Sequence, residues 1–176
     1  MKNILVLGAS REGGTGWQIA HHLARDGARL TVGARSAEGI EKLSREIGGL
    51  AVPCDATREE DVRNIVARAA EAGGGRIDAA VLVAGEGTLG NIDDISDDLL
   101  RRTFDLNYFA GVYFLRHAAR AMRDGGSIVL MSSIAARRPW KGYFSYGTAK
   151  AALEMLVRYG ALEYAPRGIR VNGVAP

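Results

Sequence analysis

The chain has 176 residues, 47% hydrophobic and 24% charged, an ordinary globular composition with enough length to bury a core without covalent staples. A single cysteine, Cys54, excludes an internal disulfide and a cysteine-rich metal site, and the histidines at 21, 22 and 117 form no ligand constellation. The net charge of +3 is spread among interleaved acids, which argues against nucleic acid as a partner. The short N-terminal apolar run, broken by Gly8, argues against a signal peptide or a membrane span, so the expectation is a soluble cytoplasmic protein.

Short apolar runs alternate with helical patterns along the whole length. Residues 4–7 read as a buried strand, residues 17–26 as a helix ended by Gly27, and residues 29–33 as a second strand. A helix over 37–47 stops at Gly48 and Gly49, and residues 50–54 form a third strand. Thr57 reads as an N-cap, with Glu59 and Glu60 in the first turn of a helix running to 72, where three glycines end it. Residues 79–84 are a fourth strand, and Ser96 caps a long helix to about residue 123. Asp124, Gly125 and Gly126 read as a turn before a fifth strand over 127–131. A helix over 145–164 and a sixth strand over 169–172 complete the pattern.

Strands apolar on both sides and separated by helices imply an α/β fold, a parallel sheet covered on both faces. Right-handed crossovers then give a doubly wound six-stranded sheet, with ligands at the carboxyl ends of its strands. No linker divides the chain, so residues 1–176 are expected to form one domain.

Strand one runs into Gly8-Ala9-Ser10-Arg11-Glu12-Gly13-Gly14-Thr15-Gly16, and a helix follows. Glycines there let the backbone turn and approach a dinucleotide pyrophosphate, which the helix N-terminus attracts. A glycine-rich turn without a ligand is the bland alternative. Tyr146 and Lys150 lie four apart on a helix and share a face. A neighbouring ammonium favours the phenolate and lowers a phenol pKa that is otherwise near ~10, which makes the tyrosine a usable acid and base. On spacing alone, a surface Tyr-Lys pair would be the commoner meaning. Ser133 follows strand five at the ligand edge, 13 residues before Tyr146, and its hydroxyl suits a substrate carbonyl oxygen. Asn107 sits mid-helix, where asparagine is a poor choice, and so marks a held water or a local kink.

Together these residues resemble the short-chain dehydrogenase/reductase family along the whole chain. The resemblance rests on the glycine loop, Asp55 after strand three, Leu82-Val83-Ala84-Gly85, Asn107, Ser133, Tyr146-Gly-Thr-Ala-Lys150 and Ile169-Arg-Val-Asn172, in family order. It implies a Rossmann fold and hydride transfer between a nicotinamide cofactor and a carbonyl or alcohol. Tyr146 would be the general acid in reduction, and Lys150 would lower its pKa and bind the cofactor ribose. Ser133 would orient the carbonyl, and Asn107 would anchor a relay water. Gly8, Ser10, Arg11, Gly14, Thr15, Gly16, Arg35, Asp55, Ala84 and Gly85, with Tyr146 and Lys150, would contact the cofactor.

Three departures from the family pattern stand out. The glycine loop is two residues longer than usual. Leu82 and Val83 replace a pair of asparagines, and the family's seventh strand and substrate segment would lie beyond Pro176. After strand two the chain reads Gly33-Ala34-Arg35-Ser36, with no acid to accept ribose hydroxyls, so NADP is expected over NAD, with Arg35 and Arg11 on the 2′-phosphate. The resemblance further implies a homodimer or homotetramer in the full-length form. A 3-oxoacyl thioester is the substrate it suggests, with Arg137 and Arg138 either meeting an acidic carrier or forming a solvated loop. The alternative function is a catalytically silent NADP-binding sensor or partner-binding protein; a nucleotide-sugar enzyme ranks below both.

Overall fold

The computed structural model describes residues 1–123 and 125–176; Asp124, in the turn expected at 124–126, lies outside the described residues. Elements alternate as β1 (Asn3–Leu7), α1 (Thr15–Arg25), β2 (Arg29–Ala34), α2 (Ala37–Ile47), β3 (Leu50–Pro53), α3 (Glu59–Ala72) and β4 (Ala79–Leu82). Then come α4 (Asp97–Phe104), a π-helical turn (Asp105–Phe109), α5 (Ala110–Ala121), β5 (Gly126–Met131), α6 (Phe144–Tyr164) and β6 (Ile169–Val174).

The six strands form one parallel sheet in the order β3-β2-β1-β4-β5-β6. The order reverses between β1 and β4, where the chain winds outward one way to β3 and then crosses back to wind the other way. This is the doubly wound arrangement, and the loops leaving β1 and β4 diverge to open a crevice. Register places the crevice: Leu7 pairs with Gly33 on one side and Leu82 on the other, and Leu82 with Leu130. Four strands therefore end together at one edge.

All of β1 is buried, and its side chains alternate between two cores. Leu5 and Leu7 join Ile65, Phe114 and Leu153 from α3, α5 and α6. Ile4 and Val6 join Trp17, Ile40 and Leu43 from α1 and α2. Both faces are covered, which is why the strands read as unbroken apolar runs.

Several boundaries differ from the sequence expectation. Strand four ends at Leu82, two residues early, because the Val83 and Ala84 N–H groups both donate to Leu7 O and turn the chain away from the ladder. Strand three ends at Pro53, which is tolerable because β3 is an edge strand. Strand six runs on to Val174. The helix expected over 96–123 is interrupted by the π turn, although Ser96 caps it as expected, accepting from Leu99 N at 3.3 Å. Thr57 is not the cap of α3. Arg58 occupies that position without a side-chain bond, and the Thr57 hydroxyl instead donates to Asp55 Oδ1 at 2.8 Å. The hydroxyl is drawn to the nearer carboxylate, and Glu59, Glu60 and Asp61 supply negative charge at the helix start.

Candidate functional site

The glycine loop is built by close approach. Gly8 has φ +101°, and a Cβ there would lie 2.3 Å from Ala84 N. A Cβ on Gly16 would lie 2.3 Å from Gly8 O. Strand, loop and helix can meet only if both positions lack a side chain. The two extra residues are absorbed in a tight turn: Gly14 N donates to Arg11 O at 2.9 Å, and Gly13 takes φ +69° in open space. The lengthened loop therefore still delivers Gly14 to the start of α1. That helix has no side-chain cap and no acid in its first turn, so its leading N–H groups face an anion site with no built-in acceptor.

A cleft of about 840 Å³ opens above this edge of the sheet. Gly8, Ser10, Arg11, Gly14, Thr15 and Gly16 line it, as do Arg35, Asp55, Ala84 and Gly85. Among the described residues neither Arg11 nor Arg35 is in an ion pair, and the loop's own acid, Glu12, lines the cleft but is paired with Lys42 at 2.6 Å. Asp55 is oriented by its turn: Oδ1 accepts from Thr57 N at 3.0 Å, and its own N–H donates to Asp61 Oδ2 at 3.1 Å. Cys54 beside it is buried, and burial pushes its thiol up to about 12, so it is an inert apolar residue.

Asn107, Ser133, Tyr146 and Lys150 do not themselves line this cleft; Asn107 and Lys150 meet behind Gly85, which does. Lys150 is 2% exposed, and its Nζ donates to Met131 O at 2.8 Å. A Cβ on Gly85 would lie 3.0 Å from both Lys150 Nζ and Asn107 Oδ1, so glycine there opens the route from cleft to ammonium. Burial alone lowers Lys150 to about 8. Its Nζ sits 5.7 Å from the centre of the Tyr146 ring. Ser133 Oγ accepts from Ala135 N at 3.2 Å, which uses a lone pair and leaves the hydroxyl proton free to donate.

Asn107 lies within the π turn, a local departure from the α-helical backbone at the position where its low helix propensity marked an irregularity. Its amide braces the loop after β4: Nδ2 donates to Thr103 O and Glu86 O at 3.0 Å each, and Oδ1 accepts from Glu86 N at 3.2 Å. A relay water would therefore meet only one Oδ1 lone pair or the main-chain carbonyl. Leu82 and Val83, where the family has asparagines, are packed into the two opposite cores instead. Arg137 does not stand free for an acidic carrier; its Nε donates to Glu154 Oε2 at 3.0 Å, while Arg138 is exposed.

Glu86 and Thr57 do not stand out in the sequence as site residues, yet both shape the cleft. Glu86 presents its main chain to Asn107 and lines the cleft itself. The acid directly after Ala84-Gly85 is a visible signal for it. No sequence signal marks Thr57 as the partner of Asp55 rather than a helix cap.

The family description "Enoyl-(Acyl carrier protein) reductase" fits residues 8–176. Human "Dehydrogenase/reductase SDR family member 4" is 35% identical across 100% of this chain and 66% of its own length, so the chain spans about two thirds of that relative. The "Cyclic-di-GMP-binding biofilm dispersal mediator protein" of Escherichia coli is 34% identical over 99% of this chain and 72% of its own. A solved short-chain dehydrogenase/reductase from Serratia marcescens superposes with a TM-score of 0.93 at 34% identity, covering 99% of this chain and 73% of that one.

Proposed function

Because this chain belongs to the short-chain dehydrogenase/reductase family, we propose that it is the nucleotide-binding domain of an oxidoreductase acting between NADP(H) and a carbonyl or alcohol. The observation that carries this reading is the meeting of Lys150 and Asn107 behind Gly85, which lines the cleft, with Tyr146 on the same helix face as Lys150. The cleft suits a dinucleotide: Gly8 and Gly16 let strand, loop and helix pack closely enough to bring the uncapped start of α1 to its edge, where a pyrophosphate would sit. The bound nicotinamide would supply or accept the hydride.

The chain's own residues would do the rest. Tyr146 gives its phenol proton to the substrate oxygen in reduction and takes it back in oxidation. The Lys150 ammonium hydrogen-bonds the ribose. Ser133 donates to the same substrate oxygen. Asn107 holds the Glu86 loop that borders the cofactor. Arg11 and Arg35 prefer a 2′-phosphate, because no acid follows β2 to accept free ribose hydroxyls.

Substrate, assembly and compartment belong to the same reading. The family description names an acyl carrier protein, which supports an acyl thioester as substrate; within that class we propose a 3-oxoacyl thioester. Met155, Tyr159 and Leu162 are exposed along α6 and support a homodimer or homotetramer. Among the described residues no helix is long and apolar enough to cross a membrane, in keeping with a cytoplasmic protein. A second reading, a catalytically silent NADP-binding sensor or partner-binding protein, draws support from the Escherichia coli relative, whose name gives a ligand and a role in biofilm dispersal and no reaction. Fluorescence titration with NADPH and NADH, run beside a carbonyl panel that includes ethyl acetoacetate and an acetoacetyl thioester, separates the two. Tight NADPH binding with turnover supports the enzyme. Binding without turnover by a form as long as the relatives supports the sensor, and no binding of either nucleotide overturns both.

A further inference from the structure

The α6 stripe that carries Tyr146 and Lys150 continues one turn further, to Glu154. Only 15% of the Glu154 side chain is exposed, and its two oxygens hold different partners. Ser132 Oγ donates to Oε1 at 3.1 Å, and Arg137 Nε donates to Oε2 at 3.0 Å. These partners bracket Ser133. Between them lies a single 3₁₀ turn, Ile134–Ala136, whose cap is Ser133 itself. One residue before Ser132, the Met131 carbonyl is bound by Lys150. Successive residues at the end of β5 are thus tied to successive turns of α6, first through Lys150 and then through Glu154. Glu154 does not line the nucleotide cleft.

We propose that Glu154 is a positioning residue, one that sets where Ser133 stands relative to Tyr146 by clamping both flanks of Ser133 to α6. The inference rests on the assignment of Ser133 and Tyr146 to the reaction. Both must reach one substrate oxygen, yet Ser133 lies in the segment that follows β5 and Tyr146 stands on α6. A displacement of about 1 Å in such an arrangement lowers turnover by roughly a hundredfold. The carboxylate suits the task because a charged acceptor makes shorter, stronger bonds than a neutral one, and it serves both flanks at once. Ser132, 4% exposed, needs an acceptor for its hydroxyl in any case.

The test compares Glu154→Leu, which removes both bonds, with Glu154→Gln, which keeps one carbonyl acceptor. In the 176-residue chain, Glu154→Leu is expected to raise amide hydrogen exchange of residues 133–138 by about tenfold while the melting temperature and NADPH affinity hold. Unchanged exchange in that segment overturns the clamp. In the protein that reduces ethyl acetoacetate, Glu154→Leu should lower kcat by roughly ten- to a hundredfold with NADPH affinity within twofold, and Glu154→Gln should recover part of the loss. In a Ser133→Ala background the same Leu substitution should change kcat less than about twofold, because Glu154 acts through Ser133. Independent, multiplying losses refute the proposal, as does a parallel fall in NADPH affinity. If the unaltered protein reduces no carbonyl, the enzyme reading itself fails, and the exchange measurement still decides the clamp.

Discussion

Replacing Lys150 with methionine is expected to make the protein more stable and less functional. The ammonium is 2% exposed, and burial lowers its pKa from 10.5 to about 8. A tenfold change in proton affinity corresponds to about 1.4 kcal/mol, so keeping the charge inside the fold costs about 3 kcal/mol at neutral pH. The bond to Met131 O returns about 1 kcal/mol of that. A methionine of similar length fills the space without the charge, so Lys150→Met should gain about 2 kcal/mol at pH 7, or roughly 4–8 °C in melting temperature. The pH dependence identifies the cause. Because the folded pKa lies below the unfolded one, the penalty is complete below about pH 8. Between about 8 and 10.5 the folded chain sheds the proton that the unfolded chain still keeps, so wild-type stability rises against the variant. Urea unfolding of both proteins from about pH 6.5 to 10.5 measures this gap directly, since other titrating groups cancel in the difference. A variant no more stable at pH 7, or a gap that does not change with pH, would show that the ammonium is not held at a desolvation cost.

The remaining predictions concern the site. Tyr146→Phe should lower turnover by about a hundredfold or more while NADPH binding persists, read by steady-state kinetics beside fluorescence titration; near-normal turnover removes Tyr146 as the proton donor. Arg35→Ala should weaken NADPH by about tenfold and leave NADH nearly unchanged, and equal losses for both would remove the 2′-phosphate assignment. Gly16→Ala, whose Cβ meets Gly8 O, should lower stability by about 1–3 kcal/mol and abolish nucleotide binding in calorimetry. Gly13→Ala faces open space at φ +69°, so it should cost only about 1 kcal/mol of backbone strain and leave binding measurable.

Much of this protein is legible in one dimension. The alternation of apolar runs and helical patterns announces six parallel strands with both faces covered, because a strand buried on both sides has no polar face to show. Gly8 and Gly16 are legible as points of close backbone approach in a strand-loop-helix turn, since a side chain at either would meet main-chain atoms. Tyr146 and Lys150 are legible as a pair, since helical periodicity alone puts residues four apart on one face. The same periodicity extends to Glu154, but nothing in the sequence says what that residue meets. Its partners Ser132 and Arg137 lie 22 and 17 residues away, and only the packing of α6 against the end of β5 brings them to it. Asn107 is marked as irregular by its propensity, whereas its grip on Glu86, 21 residues distant, follows from the π turn and the loop after β4 lying together. Thr57 reads as a cap in sequence because a cap and an Asx turn offer a hydroxyl nearly equal local partners, and the position of Asp55 decides between them. The sequence by itself determined which segments could be strands or helices and which short-range pairs share a face, because those depend on local sterics and periodicity. The tertiary structure decided the sheet order, the burial that lowers Lys150, the bonds from Glu154 to either side of Ser133 and those between Asn107 and Glu86, because burial and long-range hydrogen bonds exist only once distant elements pack.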